Sequence, residues 1–411
     1  MSVAAHSREG GELEHGRFAV TILSTISDLV QHGPEWDEFV ERVGSDIYFT
    51  ADWLCTWWTH YGQGRTLRCF LIKADGQPVA ALPFMIDMLG IAPFSVKVAK
   101  FVGADFTIPV FNPAIAPDML LPVLECVCGD LMVAQGCDIV SFSPLSGESA
   151  LPAAAARYCA QAPVADMAFN EAMGVHTMFT LPSSFDAYFK SLSKQTRSNY
   201  RRDMKGISAK HQVIYKAEAG PQALPHMRGF IDLHERQWVQ TGRLGHFGDW
   251  PGSRSFNEAL AEAMAKRNRL CMNMVVSDGD IVSYQYGYLF AATHYWRLPA
   301  RNTDGAWEKI GLGRIALVQM IDDLIGRGVT RIEAGPGHYQ YKVRHGGNEL
   351  PLTRLVLIRR NNRLSRIRVR CLVGISRLLD FLYYRIWFLK IAPRLPLPRR
   401  PLARIWIRTR L

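Results

Sequence analysis

Two glycines, Gly311 and Gly313, open a clean helical pattern that runs to about Arg327, directly after a segment from Thr293 to Leu298 that reads as a strand. Glycine lets the backbone approach a bulky anion, and the free N–H groups and positive dipole end of a helix start attract one. This turn is therefore a candidate seat for a pyrophosphate. A short strand follows the helix and ends near Glu333, whose carboxylate could take a proton from a reacting group at the strand end or could simply pair with Arg331 or Arg344. His338 titrates in the right range for proton transfer but lies in a Gly-rich loop, which favours a surface imidazole. Upstream, Lys194, Arg197, Arg201 and Lys205 fall at i, i+3, i+7 and i+11 on one helix stripe. Such a stripe is either a solvated face or a cationic wall for phosphate. Glu235 and Trp238, on a further helix, and Gln285 and Tyr286, on a strand, are candidates for contact with a polar second substrate.

The elements that must position these groups occur twice. Leu67 to Ala80 aligns without gaps on Leu270 to Ser283 at an offset of 203, each reading as strand, Asp-Gly turn, strand. The Asp-Gly pairs, Asp75-Gly76 and Asp278-Gly279, tolerate positive φ between β-rich runs, which predicts two hairpins. A second match follows at an offset of 192: a helix, a glycine (Gly136 or Gly328), and a short strand that stops at a proline (Pro144 or Pro336). Helical spacing also predicts helices over Ala51 to Tyr61 and Met227 to Gln240, ahead of each hairpin. The unit of duplication is thus helices, hairpin, strand, helix, strand, an α/β (α+β) domain with a mixed, mainly antiparallel sheet flanked by helices. At the positions equivalent to Gly311 and Gly313 the first copy has Met119 and Leu121, followed by Pro122. Anion binding is expected from the second copy alone.

The 411 residues exceed the usual size of one core. The expected organisation is a disordered start over 1–17, a degenerate first domain over 18–165, a second domain over 176–358 and a basic helical tail over 359–411. The net charge of +11 is a property of that tail, which holds fifteen Lys and Arg against the single acid Asp380, so the body is nearly neutral. Ile375, Leu378, Leu379, Leu382, Ile386 and Leu389 recur at helical spacing in it, and interspersed Arg and Lys exclude a transmembrane reading. Either an interfacial helix with Arg394 to Arg410 set against anionic lipid, or a helix packed on the body, fits the pattern. The eight cysteines form no Cys-x-x-Cys pair and no metal-ligand spacing is present, as in a reduced cytoplasmic chain without a metal site. The first residues carry acids and glycines where a signal peptide needs an apolar core, so export is not expected.

Glu308-x-x-Gly311-x-Gly313 resembles the acyl-CoA motif of GNAT acyltransferases, with Glu where that motif has Arg or Gln. Together with Leu192 to Arg202 and Glu333 to Lys342, it makes residues 45 to 360 similar to FemAB-like and CelD-like tandem GNAT proteins. Those proteins are associated with bacterial cell-envelope and exopolysaccharide synthesis. The resemblance implies two tandem GNAT-like domains and acyl-CoA, acetyl-CoA foremost, as co-substrate at Leu298, Gly311, Leu312, Gly313 and Arg314. It also implies direct attack on the thioester with Glu333, Tyr341 and Lys342 as the catalytic set. Arg197, Arg201, Glu235, Gln285 and His338 would then face a small-molecule or glycan-precursor acceptor. Two other readings stay open: a FemAB-like peptidyltransferase using aminoacyl-tRNA, the one case in which nucleic acid is expected, and a non-catalytic scaffold of a polysaccharide assembly. The expected place of work is the cytoplasm, peripheral on the inner face of its membrane.

Overall fold

The structure is a computed structural model that describes residues 12–15, 18–105, 108–161, 164–240, 245–248, 251–307, 310–360, 362–395 and 402–411. Its two compact units are Met1–Gly174 with Pro351–Leu411, and Val175–Leu350. The chain thus re-enters the first unit at Pro351, and the residues expected as a separate tail belong to that unit.

Each unit builds the same sheet. In the first, Phe18–Leu23, Thr66–Ala74, Gln77–Leu89, Val96–Phe101, Ile139–Ser141 and the end of Gly347–Arg359 lie side by side in that order. All pairs are antiparallel except Val96–Phe101 with Ile139–Ser141. In the second, Val213–Ala219, Leu270–Ser277, Asp280–Phe290, Thr293–Arg301, Arg331–Pro336 and the end of Ala165–Thr180 repeat the order, again with one parallel pair, Thr293–Arg301 with Arg331–Pro336. The last place is filled differently. The first sheet takes a strand from beyond the second unit, and the second takes one from before its own hairpin.

The duplication extends to backbone detail. Both hairpins turn through two residues of positive φ, Asp75 (50°) with Gly76 (78°) and Asp278 (52°) with Gly279 (95°), the geometry that matches strand twist in a two-residue turn. Each also carries a register shift, between Ile72 and Lys73 and between Val275 and Val276, separated by the same offset of 203. The following helices, Leu120–Cys128 and Leu312–Gly326, start 192 residues apart and lead to the positive-φ glycines Gly136 and Gly328. A helix therefore does start at the first unit's equivalent of the Gly311 turn, but with Met119 and Leu121 in place of glycines and with Pro122 lacking an N–H.

Apolar side chains close each unit by itself. Trp36, Trp53, Trp57, Phe70, Phe84 and Phe101 are fully buried in the first, where Trp36 Nε1 donates to Phe49 O at 2.6 Å. In the second, Leu317, Met320, Ile321 and Leu324 of the Gly311 helix pack on Phe179, Cys271, Trp296 and Ile332.

The tail forms a helix, Arg363–Leu378, that continues with wider π-type winding over Leu379–Ile391, and a short helix, Ala403–Arg408. Its end is not a free cationic segment. Ala403, Trp406 and Ile407 are buried, and Arg408 holds Asp87 through both carboxylate oxygens. Lys100 Nζ donates to the carbonyls of Arg408 (2.9 Å) and Arg410 (3.3 Å). Buried charges must be paired, and here Arg65 (3.2 Å from Asp87, 2.5 Å from Asp105) and Lys100 (2.5 Å from Asp105) complete the pairing.

Candidate active site

The site in the second unit is made by a fork in its sheet. The strands Thr293–Arg301 and Arg331–Pro336 pair at Thr293↔Arg331, His294↔Ile332 and Tyr295↔Glu333, and then part. Just past the fork the first strand bulges, since Tyr286 faces Leu298 while Gly287 faces Trp296, which leaves Arg297 as the extra residue. Bulges re-aim side chains where pairing ends, and here the change falls beside a buried acid.

Glu333 is that acid. It is 2% exposed at the last paired position, and its Oε1 accepts from Gly335 N–H at 2.7 Å, where φ of 80° at Gly335 turns the chain back. The short helix Gln340–Arg344 then brings Lys342 to the fork. Its ammonium lies 4.4 Å over the Tyr339 ring and 5.7 Å from the Trp296 ring, and donates to Ala334 O. Burial pulls the Lys342 pKa down to about 8, against the opposing charge of Glu333. Tyr341, 44% exposed, sets its ring edge-on to Trp296 at 6.4 Å. The three residues expected to be catalytic are thus assembled at one point, together with Trp296, which the sequence reading passed over.

The Gly311 turn differs from expectation. A Cβ on Gly311 would overlap Oδ2 of Asp203, a buried acid of the helix Lys194–Ser208 that ion-pairs with Arg314. Arg202 lies 3.5 Å from its other oxygen, and Gly313 sits against the Arg301 side chain. The glycine is needed, but for a carboxylate of the chain itself. Leu312 offers nothing to a ligand, because its side chain is fully buried and its N–H is bonded to Ile310 O at 2.7 Å. Leu298 is half-buried just beyond the bulge. Glu308, the departure from the motif, lies outside the described residues.

Most of the residues expected to face the acceptor are used elsewhere. Arg197 donates to Lys190 O (2.7 Å) and Leu192 O (2.6 Å), satisfying carbonyls at the end of the helix Phe185–Ser191. Arg201 is exposed, its guanidinium 5.2 Å over the Phe189 ring. Glu235 is in a surface cluster with Arg254 at 3.5 Å, and His338 is a surface imidazole bonded to Glu349 at 2.7 Å. Gln285 is buried in mid-sheet between Asn273 and Pro299, and its Oε1 meets no hydrogen-bond donor among the described residues.

Beyond the fork, side chains of the helix Met227–Gln240 serve the bulged strand. His234 Nδ1 bonds Pro299 O (3.1 Å), and Gln237 Oε1 accepts from Arg301 N–H (3.0 Å). His234 Nε2 meets His246 Nδ1 at 3.0 Å, and burial, then His246, pulls the His234 pKa down to about 4, so the ring is neutral. These two residues flank Glu235 and Trp238, which were singled out one face away. Asp203 also had a signal: Thr196, Tyr200, Asp203 and Ile207 recur at core spacing on the face opposite the basic stripe, and one of them is an acid.

Known proteins resemble this chain in one domain and in its fold. Residues 194–343 match the acetyltransferase (GNAT) domain family. The fold resembles the crystal structure of FemX with a TM-score of 0.58 and 11% identity, covering 79% of this chain and 95% of that one. It also resembles a conserved protein of unknown function from Bacteroides thetaiotaomicron, with a TM-score of 0.51 and 10% identity over 82% of this chain and 100% of that one. A comparison with curated proteins gives no match. The family match falls within the second unit, and the likeness to FemX is one of fold.

Proposed function

We propose that the protein is an acyltransferase that moves an acyl group, acetyl foremost, from coenzyme A to an amine or hydroxyl of a polar acceptor such as a cell-envelope or exopolysaccharide precursor. The observation that carries this reading is the assembly of Glu333 and Lys342 at the vertex of the sheet fork. Direct transfer forms a bond from the acceptor N or O to the acyl carbon, breaks the C–S bond, and moves one proton from the acceptor to a base while a thiolate leaves. Glu333, held by the Gly335 N–H, is suited to receive the proton. Lys342, with a pKa near 8, is suited to meet the thiolate as a cation and to return a proton to it. The place of this chemistry is the inner face of the cytoplasmic membrane, reached peripherally.

Glu333→Gln tests the assignment. Release of free thiol from acetyl-CoA with amino-sugar or polyol acceptors should fall by roughly 10²–10⁴-fold, while acetyl-CoA binding stays within a few fold. Unchanged turnover would remove Glu333 from the chemistry.

Asp203 favours a second reading. A carboxylate on the helix start repels a diphosphate there, which suits a donor without one at that position, such as aminoacyl-tRNA. Peptidyl transfer from charged tRNA, with acetyl-CoA inert, would decide for it.

A further inference from the structure

The tail helix has two apolar faces, and the body uses one. Val369 and Leu372 join Val96, Val98, Ile139, Val356 and Ile358 in the first unit's core. Leu364, Ile367, Ile375, Leu378, Leu382 and Leu389 instead stand outward, each between 50% and 55% exposed. From Leu364 to Leu382 they recur every three or four positions once exposed Cys371 is counted, so these five form a row rather than a scatter, and Leu389 lies apart from it. The row follows the helix Arg363–Leu378 into the first turn of the π-type winding, roughly 27 Å at about 1.5 Å per residue. Scattered surface leucines need no explanation; a row of this length does.

Charge decides what covers it. Arg363, Arg370 and Arg377 are exposed along one border of the row, where Arg366 is tied to Asp166, and the run's one acid, Asp380, is paired to Arg385 at 2.8 Å. A second copy of the helix would set basic border near basic border with no acid to answer it. Among the described residues no helix is long and apolar enough to cross a membrane, so the run is suited to lie in an interface and not to traverse it.

We propose that this row and its arginine border are a docking surface for an anionic lipid bilayer, with its five apolar side chains entering the boundary between headgroups and acyl chains. The Val369 and Leu372 face holds the helix on the body. Further along, Tyr383 and Tyr384 pack on Trp406 of the short helix whose Arg408 holds Asp87, so the row is presented ready-made. The inference rests on the location in the proposed function and not on the chemistry. Each lipid-facing arginine adds to the attraction toward an anionic surface, which several apolar insertions reinforce.

The test is flotation of the full-length protein with vesicles of phosphatidylcholine alone or mixed with phosphatidylglycerol, at low and high salt. Binding is expected only to the mixed vesicles and should weaken with salt. The exposed-position variants Leu378→Glu/Leu382→Glu and Arg363→Glu/Arg370→Glu/Arg377→Glu should each lose roughly tenfold or more of it, with circular dichroism and melting unchanged. No binding to mixed vesicles, or equal binding by both variants, overturns the proposal. So does a concentration-dependent dimer that Leu378→Glu/Leu382→Glu abolishes, since the occupant would then be a second copy. Acetyl-CoA binding measured on the same samples keeps the two questions apart. Its presence without flotation sinks the docking surface alone, and its absence with flotation sinks the donor reading alone.

Discussion

Asp203→Asn removes one charge from the start of the Gly311 helix and keeps the side chain's shape. In the native protein this carboxylate stands where a diphosphate would be drawn by the helix dipole, close enough to Gly311 to exclude a Cβ, and it engages Arg314. Two like charges at about 4 Å repel by about 4 kcal/mol at an effective dielectric of 20. Arg314, 28% exposed, offsets part of this for either anion, and solvent screens more. A net gain of roughly 1.5–3 kcal/mol remains, about 10- to 100-fold in Kd for acetyl-CoA. Isothermal titration of native and Asp203→Asn protein with acetyl-CoA reads it directly, and desulfo-CoA serves as a ligand that keeps the diphosphate. Equal or weaker binding by the variant would refute the reasoning, because the carboxylate would then be no obstacle. Binding by neither protein would refute the helix start as a donor seat and leave the aminoacyl-tRNA reading in possession.

Gly311→Ala should destabilise the protein by about 1–3 kcal/mol in urea unfolding and by much less alongside Asp203→Ala, because φ at Gly311 is −70°, which alanine adopts freely, so only the carboxylate resists the methyl. Lys342 gives a pH signature. Its folded pKa, near 8, lies below the usual 10.5, so between those values the unfolded chain binds more protons and stability rises with pH, by up to about 3 kcal/mol. Below pH 8 the penalty is fully present, and Lys342→Met should flatten the profile. Arg408→Ala should cost about 1–3 kcal/mol, since Asp87 keeps Arg65 but loses a bidentate partner; a change in the urea midpoint smaller than its error would mean the pair is idle.

What the sequence disclosed was local. The Asp-Gly turns are legible because two consecutive positive φ values admit few residues, and the helix periods of Ala51–Tyr61 and Met227–Gln240 coincide with the observed helices. Glu333, Tyr341 and Lys342 came together because one strand, one turn and one short helix carry all three. Contacts between distant segments were hidden. Asp203 meets Arg314 across 111 residues of chain, and Arg408 meets Asp87 across 321. Nothing in the spacing of Arg197 told that carbonyls at a helix end, and not a phosphate, would claim its guanidinium. The basic tail misled in a similar way: its composition spoke of charge, while its last helix is used for burial.

The sixth place of the first unit's sheet is filled by a segment synthesised only after the second unit has been. Until Gly347–Arg359 arrives, Ile139–Ser141 is an open sheet edge, and the acids Asp87 and Asp105 await the tail. A nascent chain that stalls anywhere between residues 175 and 350 therefore exposes an unfinished first unit for a chaperone or protease to find. Premature termination in the second unit would leave the first unit's sheet without its sixth strand.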